Sequence, residues 1–304
     1  MVDGWIILDK PLGLGSTQGV AAVKRVLRQC GYGKVKVGHG GTLDPLATGV
    51  LPIAIGEATK LAGRMLDATK TYAFTVRFGR QTDTLDLEGK VIATSDVQPT
   101  PGAVAAVVAE RFTGPIEQVP PAYSAILIDG RRAYDRAREG EEVEMKSRQV
   151  TILRWDAIEE GEEGGECFAT LTVTVSKGTY IRSLARDIAL ALGTRGHVTM
   201  LRRLKAGPFG IAQAISLDKL NETANGGDLV NVILPLEAGL VDIPALDLNP
   251  EQARAVRQGR VLSGLPQTDG LWLARSGTVP VALVELSGGT MKVSRGFNLP
   301  DVAE

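Results

Sequence analysis

Apolar residues recur along this 304-residue chain at every second position in some segments and at helical spacing in others. These two patterns predict its strands and helices. Strands are predicted at 4–11, 70–79, 170–176, 271–274, 280–286 and 291–293. Helices are predicted at 20–27, 101–112 and 131–140, and from Ile181 onward. In the second strand alternate residues place Tyr72, Phe74, Val76 and Phe78 on one face. Strands with interspersed helices predict an α+β fold with a mixed, mostly antiparallel sheet, plus a small β-rich unit at the end of the chain.

The composition is that of a soluble globular protein, with 44% hydrophobic and 23% charged residues. Two cysteines, Cys30 and Cys167, have no metal-binding or redox spacing, so we expect free thiols in a reducing compartment. No apolar run has the length of a membrane span or the form of a signal peptide. We therefore expect a cytoplasmic protein that makes no membrane contact.

The net charge of −1 argues against a uniformly basic nucleic-acid-binding protein, but the charge is unevenly distributed. Residues 177–205 carry seven Lys or Arg against one acid, whereas residues 139–166 carry ten acids against three bases. Such segregation is able to build a basic face on a neutral protein. The alternative is that both runs are solvated surface.

The stretch from Gly38 to Lys60 is where the candidate chemistry concentrates. Its first half is rich in glycine and contains His39 and Asp44, and its second half is apolar. Pro45 restricts Asp44 to an extended conformation, which suits a carboxylate that must point in a fixed direction. An Asp before Pro is also a common turn former, so the residue types alone leave both interpretations open.

Several ligand sites are excluded or disfavoured by spacing. The glycines between Gly13 and Gly19 miss the dinucleotide-binding pattern, and no P-loop is present. Residues 83–89 are acidic but lack the alternating ligands of an EF-hand, so they predict a hairpin turn. With two histidines and no cysteine pair, the sequence offers no metal site, and His39 lacks partners for one.

Residues 38–51 resemble a motif of the TruB-type tRNA pseudouridine synthases, Gly-His-x-Gly-x-Leu-Asp-Pro-x-Ala-x-Gly-x-Leu, at every fixed position. Further segments match that family in the same order, namely Leu8-Asp9-Lys10-Pro11, Pro120-Pro121-Ala122-Tyr123-Ser124-Ala125 and Lys177-Gly178-Thr179-Tyr180-Ile181-Arg182. The resemblance covers about the first four-fifths of the chain. Gln18 stands where the family usually has Asn, which leaves its role open.

The resemblance implies an enzyme that isomerises uridine 55 in the T-arm of tRNA to pseudouridine. In that family the Asp of the motif is the nucleophile and an Arg pairs with it, so these roles pass to Asp44 and Arg182. No atoms enter or leave in the reaction, so we expect no cofactor. Which atom Asp44 attacks is not decided by the sequence.

The resemblance also implies a set of RNA-binding residues. Tyr72 and Tyr180 are expected to stack on the flipped base, His39 to contact RNA beside it, and Leu201 to line the substrate site. A flexible insertion at about 124–152 is expected to grip the T-loop. Its candidate phosphate contacts are Arg131 and Arg132, with Arg136 and Arg138; an exposed, solvated helix is the alternative.

The predicted domains are a catalytic domain at 1–240 and a small β-rich, PUA-like domain at 241–304. We expect a monomer that binds the T-arm stem-loop of tRNA. One alternative is a non-catalytic RNA-binding or chaperone protein on the same fold, which would have no reason to bury an Asp44–Arg182 pair. A glycoside hydrolase would need a second acid near Asp44, and the nearest downstream acid, Glu57, follows the strand predicted for the apolar run that begins at Val50 and stops at Gly56.

Overall fold

The computed structural model describes residues 2–226 and 229–300. The strands are β1 Gly4–Lys10, β2 Val37–His39, β3 Ala47–Ile55, β4 Lys70–Phe78, β5 Arg80–Thr82, β6 Val91–Thr94, β7 Gly114–Gln118, β8 Leu127–Ile128, β9 Arg131–Arg132, β10 Arg148–Glu163, β11 Glu166–Val175, β12 Gly196–Ala206, β13 Phe209–Gly210, β14 Ala245–Asp247, β15 Leu262–Ser263, β16 Gly270–Ser276, β17 Val279–Ser287 and β18 Thr290–Gly296. The α-helices are α1 Ser16–Gln29, α2 Ala62–Asp67, α3 Ala103–Arg111, α4 Ala133–Arg138, α5 Ile181–Ala191, α6 Leu217–Gly226 and α7 Pro250–Arg257.

The central sheet has the strand order β1-β3-β12-β4-β11-β10-β7, with β2 paired to β3 and β13 paired to β12. The β12–β3 pair is parallel, and the other pairs in this sheet are antiparallel. This arrangement confirms the predicted mixed, mostly antiparallel sheet. The parallel pair is the one that brings the strand after Asp44 beside the strand that carries Leu201.

The apolar period of β4 places one of its faces in the core. Phe74, Val76 and Phe78 are buried, as the alternation predicts. The same apolar cluster contains residues of α3 and α5, including Val108 and Leu184. Both helices therefore cover one face of the central sheet, and this packing fixes the start of α5, where Arg182 lies.

A second sheet has the order β14-β16-β17-β18-β15 and includes the strands predicted near the end of the chain. Leu273, Leu283 and Phe297 from this part share an apolar cluster with Trp5 and Ile7 of β1. The β-rich unit is thus present and packs on the central sheet. The division at residue 240 remains a prediction.

The predicted helix at 131–140 is partly wrong. Arg131 and Arg132 form β9, which pairs with β8, and helix α4 begins only at Ala133 and ends at Arg138. Backbone hydrogen bonds from Ala133 to Ile126 and from Tyr134 to Ser124 hold this small hairpin against the helix start. The turn predicted at 83–89 is confirmed, because it connects β5 with β6.

Candidate active site

Asp44 lies in the loop between β2 and β3, and neighbouring residues hold that loop on both sides. The buried Ser16 hydroxyl donates to the Leu43 carbonyl at 2.9 Å and accepts from the Leu43 N–H at 2.8 Å. The N–H of Gly13 donates to the Pro45 carbonyl at 2.9 Å. The backbone on each side of Asp44 is therefore fixed before any substrate binds.

Arg182 lies in the first turn of α5, just after the turn at Gly178. Its Nη2 is 2.9 Å from Asp44 Oδ2 and donates to the Tyr123 carbonyl at 2.9 Å, while Nη1 donates to the Thr84 carbonyl at 2.7 Å. The Arg182 side chain is 6% exposed and that of Asp44 is 40% exposed. The guanidinium is thus a buried, rigid partner, and the carboxylate faces open space.

A second carboxylate, which the sequence analysis did not assign to the site, reaches the same guanidinium. Asp86 Oδ2 lies 3.6 Å from Nη1 of Arg182. The Asp86 carboxylate also accepts from the Thr84 hydroxyl at 2.6 Å and from the Glu88 N–H at 3.0 Å. The acidic run at 83–89 was the available signal, but its spacing indicated only a turn.

A cavity of about 310 Å³ opens beside this ion pair. The predicted site residues that line it are Asp44, Tyr72, Tyr180, Arg182 and Leu201. Its volume lies at the lower end of the range for small-ligand sites, about 300–1,000 Å³. The fold therefore brings together five predicted residues from β4, β12, the Asp44 loop and the start of α5.

Two buried lysines add positive charge beside the loop. Lys10 Nζ donates to the carbonyls of Leu14 at 2.6 Å, Pro11 at 3.1 Å and Pro45 at 3.3 Å. Burial lowers the pKa of Lys10 to about 8, although the charge of Asp44 acts in the opposite direction. Burial likewise lowers the pKa of Lys70, which lines the cavity, to about 8.

The two tyrosines are held in different ways. Tyr72 lies on β4 between Val173 of β11 and Arg203 of β12. Tyr180 has its backbone fixed by Gln118, which accepts from its N–H at 2.8 Å and donates to its carbonyl at 3.2 Å. The guanidinium carbon of Arg148 lies 4.8 Å from the centroid of the Tyr180 ring.

Comparison with known proteins assigns the chain to a family. Residues 24–181 match the N-terminal domain of the TruB family of pseudouridylate synthases, and residues 182–241 match the C-terminal domain of tRNA pseudouridylate synthase B. The chain belongs to the TruB family. That family is one of pseudouridylate synthases, so this member is placed among isomerases that act on RNA.

Relatives and solved structures agree with this assignment. The chain is 74% identical to tRNA pseudouridine synthase B of Novosphingobium aromaticivorans over all of both chains. It is 56% identical to the protein of that name from Zymomonas mobilis, over 97% of this chain and 96% of that one. It also resembles a solved H/ACA RNP bound to a substrate RNA containing 2′-deoxyuridine, with a TM-score of 0.69 and 26% identity over 98% of this chain and 85% of that one.

The other predicted RNA-binding residues of this TruB chain do not line the cavity. His39 ends β2, and its pKa is lowered first by burial and then by the charge of Arg203. Arg131 forms ion pairs with Glu139 at 2.6 Å and Glu141 at 3.1 Å. Arg132 is exposed and donates to the Ala125 carbonyl at 3.5 Å. Their contacts with RNA remain predictions.

Gln18, whose role the sequence left open, caps a helix in this TruB chain. Its side-chain Oε1 accepts from the N–H of Gly15 at 2.7 Å, just before α1 begins. Across residues 2–226 and 229–300 no group of three metal-ligating side chains is found, and no helix is long and apolar enough to cross a bilayer.

Proposed function

We propose that this protein isomerises uridine 55 in the T-arm of tRNA to pseudouridine, with Asp44 as the nucleophile. One observation carries the proposal: a partly exposed carboxylate, paired at 2.9 Å with a buried arginine, faces a cavity that also contains two tyrosines. The relatives named tRNA pseudouridine synthase B support tRNA as the substrate class.

The reaction breaks the bond between N1 of uracil and C1′ of ribose and forms a bond between C5 and C1′. The C5 proton is lost and N1 gains one, so the composition of the nucleotide does not change. A carboxylate nucleophile suits this chemistry, because it is able to hold one fragment covalently while the base turns. Arg182 places a positive charge 2.9 Å from the Asp44 carboxylate and so holds that carboxylate in place.

The target uridine must leave its place in the folded arm to reach Asp44, at a cost of a few kcal/mol. Stacking on an aromatic ring offsets part of that cost, at about 1–3 kcal/mol per base. Tyr72 and Tyr180 both line the cavity and are the proposed stacking residues. Leu201 gives the cavity an apolar wall beside them.

The proposal extends to the organisation of the molecule. A catalytic domain at 1–240 carries an RNA-gripping insertion at about 124–152, and a small domain follows at 241–304. Arg131 and Arg132 are proposed to contact phosphates of the T-arm, and His39 to contact RNA beside the flipped base. The proposed active species is a monomer in the cytoplasm that needs no cofactor.

The direct test is to incubate the protein with unmodified tRNA and to map pseudouridine by primer extension after carbodiimide treatment. The proposal expects one new stop, which reports position 55. Stops at other uridines would overturn the site specificity. RNA binding without any new stop would identify a non-catalytic RNA-binding protein.

A further inference from the structure

Arg203 on β12 is a buried cation whose hydrogen bonds all go to the backbone around the Asp44 loop. Its side chain is among the largest that are fully buried, at 1% exposure. Nε donates to the carbonyl of Val50 at 2.7 Å, Nη2 to that of Gly41 at 3.0 Å and Nη1 to that of Thr42 at 3.3 Å. One guanidinium thus joins the backbone before Asp44 to the strand that follows it.

The pairing of Arg203 differs from that of the arginines beside it. Arg182 and Arg202 each meet a carboxylate, Asp44 and Asp9 respectively. In the part of the chain that the structure describes, Arg203 forms no ion pair within 4 Å, and carbonyl oxygens accept from each of its three side-chain nitrogens. Burying a charge is costly unless it is paired or fully hydrogen-bonded, so packing alone does not account for an arginine here.

Close approach of the backbones makes these bonds possible. β12 runs parallel to β3, with Arg203 opposite Gly49. A Cβ on Gly49 would lie 2.2 Å from the carbonyl oxygen of Arg203, and Gly49 has a φ of +101°. Gly49 therefore lets β12 approach closely enough for the guanidinium to reach the carbonyls of the Asp44 loop.

The contacts of Arg203 complete a set of anchors around a single residue. Arg203 holds the carbonyls at positions 41 and 42, Ser16 holds both backbone groups of Leu43, and Lys10 holds the carbonyl of Pro45. Asp44 is in the middle of this set, and both Asp44 and Arg203 line the cavity.

We propose that Arg203 is a positioning residue for the reaction. Its planar guanidinium fixes the backbone at Gly41 and Thr42 relative to Val50, and so sets the position of the Asp44 carboxylate. The inference rests on the proposed function. It assigns Arg203 no contact with the reacting atoms. A reacting group displaced by about 1 Å loses about a hundredfold in rate, so anchoring of this kind has a large effect.

The test replaces Arg203 by Lys, which keeps the charge but loses the planar fork that reaches three carbonyls. With a T-arm stem-loop, Arg203→Lys is expected to lower kcat by about 30- to 100-fold and to leave KM and RNA affinity within about threefold. Without RNA, amide hydrogen exchange at residues 40–46 should be faster in Arg203→Lys than in wild type. Both measurements are made well below the midpoint of thermal unfolding.

The matched control is Arg202→Lys, because Arg202 is the adjacent arginine and its guanidinium pairs with Asp9 and Thr48 instead. This control is expected to keep kcat within about twofold and to leave exchange at 40–46 unchanged. Arg203→Gln, which has no charge to bury, replaces Arg203→Lys if the latter is unstable, and the same outcomes apply to it.

The proposal is overturned if Arg203→Lys keeps kcat within about threefold of wild type, if the loss appears in KM alone, or if Arg202→Lys loses as much. Wild-type protein that is inactive on the T-arm would instead overturn the proposed function. In that case faster amide exchange at 40–46 in Arg203→Lys than in wild type would still support the anchoring, and unchanged exchange would overturn it.

Discussion

Arg182 is shared by two carboxylates that differ in exposure. Asp44 and Asp86 lie 2.9 Å and 3.6 Å from its guanidinium, but their side chains are 40% and 8% exposed. The exposed carboxylate is able to meet a substrate, whereas the buried one is already held by Thr84 and Glu88. We therefore infer that Asp86 orients the guanidinium and that Asp44 carries the chemistry.

Arg182→Met is expected to lower turnover at neutral pH by about a hundredfold or more, since the charge partner of Asp44 is removed. The measurement is kcat at saturating stem-loop RNA and neutral pH.

The alternative role for Arg182 is a phosphate contact. That role would lower RNA affinity and leave kcat at saturating RNA like that of wild type, which would contradict the account. Arg186→Met is a suitable control, because Arg186 is on the same helix and contacts Asp187 and the Val119 carbonyl.

Lys10 gives a prediction for stability against pH. Burial lowers its pKa from 10.5 to about 8, so between these values the unfolded chain binds more protons than the folded one. The contribution of Lys10 to stability is therefore fully present above about 10.5 and is lost as pH falls through about 8. As pH rises from about 8 to about 10.5, the unfolding free energy of wild type should increase relative to that of Lys10→Met. A difference that is constant over this window, measured by urea unfolding, would contradict the prediction.

The hairpin β8–β9 and helix α4 form a small element whose arginines already have acidic partners. Arg131 pairs with Glu139 and Glu141, and Arg136 also pairs with Glu141. RNA phosphates would have to compete with these carboxylates. The pairs of Arg131 are exposed, and exposed pairs contribute little to stability, so competition by a phosphate is feasible.

Replacing Arg131 and Arg132 together by Ala is expected to weaken binding to all RNA sequences alike. The slope of log affinity against log salt should become shallower by up to about one unit for each phosphate that these arginines neutralise in the wild-type complex. Arg154→Ala, at an exposed arginine of β10 that pairs with Asp156, is the control and should leave the slope unchanged. An unchanged slope in the double variant would show that Arg131 and Arg132 are only surface charge.

Local patterns predicted some of the elements but missed β7, β10 and β12 of the central sheet, and they did not predict the contacts between elements. The period of β4 and the start of α5 follow from neighbouring residues, and both are confirmed. The proximity of Asp44 and Arg182 came from the family resemblance, because no local pattern joins residues so far apart. Asp86 and Arg203 were missed for the same reason, since each reaches its partners only through the fold. Arg131 and Arg132 were assigned to a helix because arginines continue from β9 into α4, so the sequence gives no sign of the boundary between them.

The two sheets share one apolar cluster, and this joins the parts of the molecule. Trp5 of β1 packs against Phe209, with ring centroids 5.2 Å apart and ring planes tilted by 49°, and its indole N–H donates to the Leu236 carbonyl at 3.0 Å. Leu283 and Phe297 from the end of the chain are buried in the same cluster. We therefore expect both sheets to unfold together.

Phe297→Ala is expected to lower the free energy of unfolding by about 3–5 kcal/mol, because it leaves a cavity between the two sheets. Calorimetry of the wild-type protein should show a single transition, and the variant should show it at a lower temperature. Val261→Ala, at an exposed position, is the control and should change stability by no more than about 0.5 kcal/mol. Two separate transitions, with the central sheet unaffected by Phe297→Ala, would contradict the shared core.

The central claim is that Asp44 is the nucleophile, and the most direct test is turnover by Asp44→Asn on a T-arm stem-loop. The change keeps the size of the side chain and removes its charge. We predict that pseudouridine formation falls below about a thousandth of the wild-type rate, as for loss of a nucleophile, while RNA affinity stays within about threefold. Turnover above that level by a homogeneous preparation of the variant would contradict the account.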